Sequence, residues 1–129
     1  MKYSVYKQDS YTVFQLEEDN MNLVVAPDLK SELLGLQIQG VNNLILDLSK
    51  VNWADSAGLS AILVVSTSWK SNTNGVFVVS GIVPRMRKLM EITHLDRVVF
   101  IVDTVQEAVE LVFKEELRRK LEDKSDETG

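Results

Sequence analysis

At 129 residues the chain has room for one domain whose core needs neither disulfides nor metal. It has no cysteine, which excludes disulfide and thiolate chemistry, and one histidine, which leaves a metal site almost without ligands. The net charge of −5 lacks the Lys and Arg surplus that phosphate neutralisation requires, so proteins or small ligands are the expected partners and nucleic acid is not.

The first residues, Met1-Lys2-Tyr3-Ser4-Val5-Tyr6-Lys7, contain no apolar stretch of signal-peptide length, and no apolar run along the chain approaches a membrane span. A soluble cytoplasmic protein without a membrane segment is therefore expected. Residues 3–8 and 10–16 are rich in Tyr, Val, Thr and Phe, and Gln8-Asp9-Ser10 between them predicts the turn of a β-hairpin. Residues 17–22 are polar and read as a loop. Pro27 suits the first turn of a helix whose apolar face is Leu29, Leu33, Leu34 and Leu36, with Gly40 in the connection beyond it.

The apolar run 44–48 is short enough to be a buried strand. Leu59, Ile62, Leu63 and Ser66 then recur at helical spacing and predict a helix over 57–69. Ser71-Asn72-Thr73-Asn74-Gly75 is a loop by composition, and 76–80 is another apolar strand. Pro84 opens a short helix with Met86, Leu89 and Met90 inward, and 98–102 is a third buried run. Asp103 with Gln106 three residues on is close to a capping box for a last helix, striped by Val105, Ala108, Val109, Val112 and Leu117. The order β-β-α-β-α-β-α-β-α predicts an α/β fold, a mixed and mostly parallel sheet of four to five strands with helices packed against it. Residues 1–117 are expected as the single domain and 118–129 as a charged, flexible C-terminal tail.

The centre of interest is Trp53-Ala54-Asp55-Ser56-Ala57-Gly58-Leu59, where a strand hands over to a helix. Either Asp55 or Ser56 can cap that helix, and a helix start also favours an anion. A serine here can cap, attack a substrate or carry a phosphoryl group. As a nucleophile it has the serine and following glycine of an elbow, with Ala54 in place of the first glycine. The base would have to be His94, and the sole acid between Ser56 and His94 is Glu91, three residues before the histidine on the same short helix. That acid is poorly placed to orient the ring against a distant serine. A phospho-aspartate at Asp47 lacks the early acid pair that would hold magnesium, so Asp47 reads as a turn-fixing hydrogen-bond acceptor. No metal or cofactor is expected, since the glycines are scattered and form no phosphate loop.

As a regulated acceptor, Ser56 would gain about −1.5 to −2 charges at a helix start, within reach of backbone N–H groups and the helix dipole. The following helix carries Ala61, Val64 and Val65 outside its inward stripe, which suits either a docking face or a deep core position. Arg85, Arg87 and Lys88 form a basic run that reads as a solvated face.

The pattern Leu46-Asp47-Leu48-Ser49-x-Val51-x-x-x-Asp55-Ser56-Ala57-Gly58-Leu59 resembles the signature of the STAS domain, the family of anti-sigma factor antagonists. The order of elements and the late Asp103-Thr104-Val105-Gln106-Glu107-Ala108 extend the resemblance over nearly the whole chain. It implies a binding module rather than an enzyme, working by partner switching. Ser56 would be phosphorylated by an anti-sigma factor that is also a serine kinase, which binds the unphosphorylated form and thereby releases the sigma factor. A metal-dependent serine phosphatase would reset the switch. On the same resemblance Asp55 would help place the hydroxyl, Gly58 would let partner backbone come close, and Asp47 would support the phosphosite. Trp53, Ala57, Leu59 and Ala61 would form the partner-binding surface. The competing implication is a soluble STAS subunit of a lipid-transport ABC system, with a permanent interface and Ser56 as a structural cap.

Overall fold

A computed structural model describes residues 1–128. The elements run β1 (Tyr3–Lys7), β2 (Thr12–Leu16), β3 (Asn20–Met21), α1 (Ala26–Ile38), β4 (Leu44–Asp47), β5 (Trp53–Ala54) and α2 (Ser56–Asn72). They continue with β6 (Phe77–Ser80), α3 (Pro84–Ile92), a 3-10 turn (Leu95–Arg97), β7 (Phe100–Val102) and α4 (Val105–Thr128). Five strands form one sheet in the order β1-β2-β4-β6-β7, and β3 and β5 form a separate two-stranded ladder. β1 is antiparallel to β2, while β2, β4, β6 and β7 are parallel. This is the mixed, mostly parallel α/β sheet expected, with five strands.

Side-chain alternation along the strands divides the core. Phe14, Leu16, Leu44, Leu46, Phe77 and Val79 face one way and pack with Leu29 and Leu33 of α1, Ile62 and Val65 of α2, and Met86 and Met90 of α3. Val13, Ile45 and Val78 face the other way and meet Ala108 and Val112 of α4. Each large apolar side chain fully buried in this way contributes about 1.5–3 kcal/mol. Three helices thus cover one face and a single helix the other, as parallel strands buried on both sides require.

Several local features follow from named residues. α1 ends in a Schellman motif: Gly40 takes φ 97°, its N–H donates to Gln37 O, and Val41 N–H donates to Leu36 O. Buried Asn43 pins α4 to the sheet, donating to Ser10 O and Glu116 Oε1 and accepting from Val76 N–H. Arg87 of the basic run pairs with Asp103, tying α3 to the loop before α4.

Four expectations need correction. Residues 17–22 are not simply a loop, because Asn20–Met21 pairs in parallel with Trp53–Ala54. The cap of α4 is Thr104 rather than Asp103: its Oγ1 accepts from Glu107 N–H, while Glu107 Oε2 accepts from Asp103 N–H. Leu117 is 60% exposed and lies off the buried stripe of α4. The segment from Arg118, expected as a flexible tail, continues α4 as far as Thr128, and the remaining residue, 129, lies outside the described residues.

Candidate functional site

The site is built where β4 gives way to α2. Asp47 closes β4 and is buried; its Oδ1 accepts from Ser49 N–H at 2.9 Å and its Oδ2 from Gln15 Nε2 at 3.0 Å. It therefore fixes the turn, as its position predicts. Beyond it Val51 is buried, and Asn52 N–H donates to Asp19 O at 2.8 Å, so the chain is led alongside β3.

Asp55 is the N-cap of α2, with extended backbone at φ −96° and ψ −176°. Its Oδ1 accepts from Ala57 N–H at 3.0 Å and Gly58 N–H at 3.1 Å. Its Oδ2 accepts from Leu23 N–H at 2.9 Å, so one carboxylate also holds the segment between β3 and α1. Ser56 occupies the first helical position, exposed, and takes no part in the cap. Two of the N–H groups at the helix start, those of Ala57 and Gly58, are already engaged by Asp55.

Gly58 is buried beneath the chain's own backbone. A Cβ there would lie 2.0 Å from Met21 O, so the missing side chain admits β3 rather than a partner. This corrects the role that the resemblance implied for it.

The expected partner-binding residues separate. Trp53 is 45% exposed and Ala57 half-buried, whereas Leu59 sits in the core and Ala61 is buried at the floor of a groove. Leu59 is therefore not a surface contact, and Ala61 reaches the surface only at the floor of that groove. α2 packs against α1 as well as the sheet, which buries Ala61 and Val65 and leaves Leu63 and Val64 outward. Sequence periodicity missed the other half of the exposed rim, Leu23 at 68% and Val24 at 81%, because it lies in the connection before α1. Leu23, Pro27, Ala57, Ala61 and Val64 line a shallow groove of about 210 Å³ beside Ser56. Large apolar side chains are thus exposed next to an exposed hydroxyl. His94 begins the 3-10 turn in left-handed backbone, at φ 60°, and caps nothing with its side chain. Among the described residues no three His, Cys, Asp or Glu side chains group as metal ligands, and no helix is long and apolar enough to cross a membrane.

Comparison with known proteins agrees with this geometry. The STAS domain family matches residues 2–108. Over 74 residues the chain is 38% identical to a Thermotoga neapolitana protein designated a candidate anti-sigma factor antagonist and TM1081 homologue. That match takes in 57% of this chain and 65% of the relative, so it spans just under two thirds of that protein's length. The crystal structure of the Thermotoga maritima candidate anti-sigma factor antagonist TM1081 superposes with a TM-score of 0.75 at 28% identity, over 85% of this chain and 93% of that one. The fold is shared with the anti-sigma factor antagonist SpoIIAA in its unphosphorylated form, at 18% identity and a TM-score of 0.66 over 86% of this chain and 97% of that one. With the family matched from residue 2 to residue 108 and the strand–turn–helix of its signature in place, the chain belongs to the STAS domain family.

Proposed function

We propose that this chain is an anti-sigma factor antagonist that works by phosphorylation-controlled partner switching, with Ser56 as the acceptor. The observation that carries the reading is the division of labour at the start of α2. Asp55 does the capping, and the neighbouring Ser56 hydroxyl is exposed and spare. The name borne by the Thermotoga neapolitana relative supports the same role.

In this reading the unphosphorylated form docks an anti-sigma factor through the rim of Leu23, Val24, Trp53 and Val64. The anti-sigma factor is also the kinase: Ser56 Oγ forms a bond to the γ-phosphorus of ATP, the bond to ADP breaks, and the hydroxyl proton passes to a base of the kinase. The phosphate adds about −1.5 to −2 charges beside the Asp55 carboxylate. Because Ala57 N–H and Gly58 N–H already donate to Asp55, the new charge faces outward and must be desolvated on docking. A metal-dependent serine phosphatase hydrolyses the ester and restores the binding form. The chain is substrate and binding module throughout.

The test is to incubate the chain with its anti-sigma factor kinase and ATP and to map the phosphate by mass spectrometry. Phosphate on Ser56, absent from Ser56→Ala, is the expected result. Phosphate on Ser60 in both forms would overturn the assignment.

A further inference from the structure

A second cleft, of about 220 Å³, opens at the far end of α2 from Ser56, where α2, the starts of β6 and β7, and the middle of α4 converge. It is independent of the Ser56 reading. Its floor is the edges of buried Trp69 and Phe77, with ring centroids 6.0 Å apart, and the exposed Phe100 forms an aromatic wall. Its charged lining is three cations, Lys70, Arg118 and Arg119, against the single carboxylate of Glu115. On a chain of net charge −5, that is a local reversal of sign.

The three cations are not equivalent. Lys70 Nζ donates to Val98 O at 2.7 Å. Arg118 is paired with Glu115 at 2.9 Å and Glu122 at 2.5 Å. Arg119 Nη1 is buried and has no hydrogen-bond partner among the described residues. A buried guanidinium N–H without an acceptor is costly, and an anion beside it would gain a charge-assisted hydrogen bond. An aromatic surface next to such a donor recognises a flat apolar body attached to a negative group.

We propose that this cleft binds a small organic anion with a flat apolar body, of the aromatic carboxylate class. The ring lies against the exposed Phe100, over a floor made by the edges of the core residues Trp69 and Phe77, and the carboxylate accepts from Arg119. The cleft volume accommodates one or two fused rings.

The two tryptophans make the test direct, since Trp69 lines the cleft and Trp53 lies at the other end of α2. The full chain, labelled with 15N, is titrated with 2-naphthoate and, as a neutral control, 2-naphthamide, while amide and indole N–H resonances are followed. Saturable shifts at the Trp69 indole and at Val76 and Phe77 are expected with naphthoate, with the Trp53 indole unmoved. Arg119→Gln should weaken binding by about tenfold, the loss of one charge-assisted hydrogen bond. Val98→Glu, at an exposed position on the cleft mouth, should weaken it through like charge. If Arg119→Gln fails to fold, Val98→Glu decides: weakened binding supports the site and undiminished binding overturns it. Equal affinity for naphthamide, or no saturable shift, overturns it as well. Arg119 also borders a neighbouring polar cleft with Asn74 and Lys120. Shifts at Asn74 with Trp69 unmoved would put the anion there and overturn the aromatic site.

Discussion

A Cβ added to Gly58 would lie 2.0 Å from the carbonyl oxygen of Met21, a separation no real pair of these atoms tolerates. The same carbonyl accepts from Asp55 N–H, so β3 and the start of α2 share one tight junction. Alanine is the better helix former by about 1 kcal/mol, yet here the obstacle is backbone and must itself move. Gly58→Ala is expected to destabilise by about 1–3 kcal/mol in urea unfolding. Wild-type stability would contradict the close contact between Gly58 and the Met21 carbonyl.

Gly35 supplies the opposite case. It lies within α1, and nothing stands within 4 Å of where its Cβ would be. Gly35→Ala should stabilise by about 0.5–1 kcal/mol, through helix propensity and a less free unfolded chain. A shift of the urea midpoint to higher concentration without a change in slope is the expected readout.

Asp55 and Ser56 are adjacent but should respond differently. Asp55→Ala removes the cap and the tie to Leu23 together, and is expected to cost about 2 kcal/mol. Ser56→Ala touches neither and should stay within about 0.5 kcal/mol of wild type. Thermal unfolding of the two variants side by side checks this, and a larger loss for Ser56→Ala would make the serine the cap after all.

The Tyr3 phenol, on β1, is held above its ordinary value of 10.0 chiefly by hydrogen bonding to Glu32. The folded chain thus keeps the phenolic proton to higher pH than the unfolded chain. Any stability it contributes is present below pH 10.0 and is lost as pH rises through the folded value. Glu32→Gln should return the phenol toward its ordinary value, as followed by NMR titration of the Tyr3 ring.

The main elements were legible from two signals. The apolar runs that became β4, β6 and β7 are short and bounded by polar or turn residues, and the leucines of α1 repeat at helical spacing. What stayed hidden has no period. β3 and β5 are two residues each, and Asn20–Met21 reads as loop until Trp53–Ala54 lies beside it. Leu59 was on the inward stripe and became a surface candidate only through the resemblance, while Ala61 lay off that stripe and is buried because α2 also packs against α1. Leu117 continued the spacing of Val109 and Val112 but falls where Glu116 instead reaches Asn43. At the site, Ser56 and Asp55 were visible from the motif. The rim residues Leu23 and Val24 were not, since tertiary contact alone brings that segment beside α2.

The most direct test of partner switching is the affinity of the anti-sigma factor for the chain in two states, unmodified and carrying phosphoserine at position 56. Isothermal titration at a single salt concentration measures both. The account predicts that the phosphate weakens binding by about tenfold or more, which corresponds to about 1.4 kcal/mol of added repulsion and desolvation. Equal affinities in the two states would contradict it.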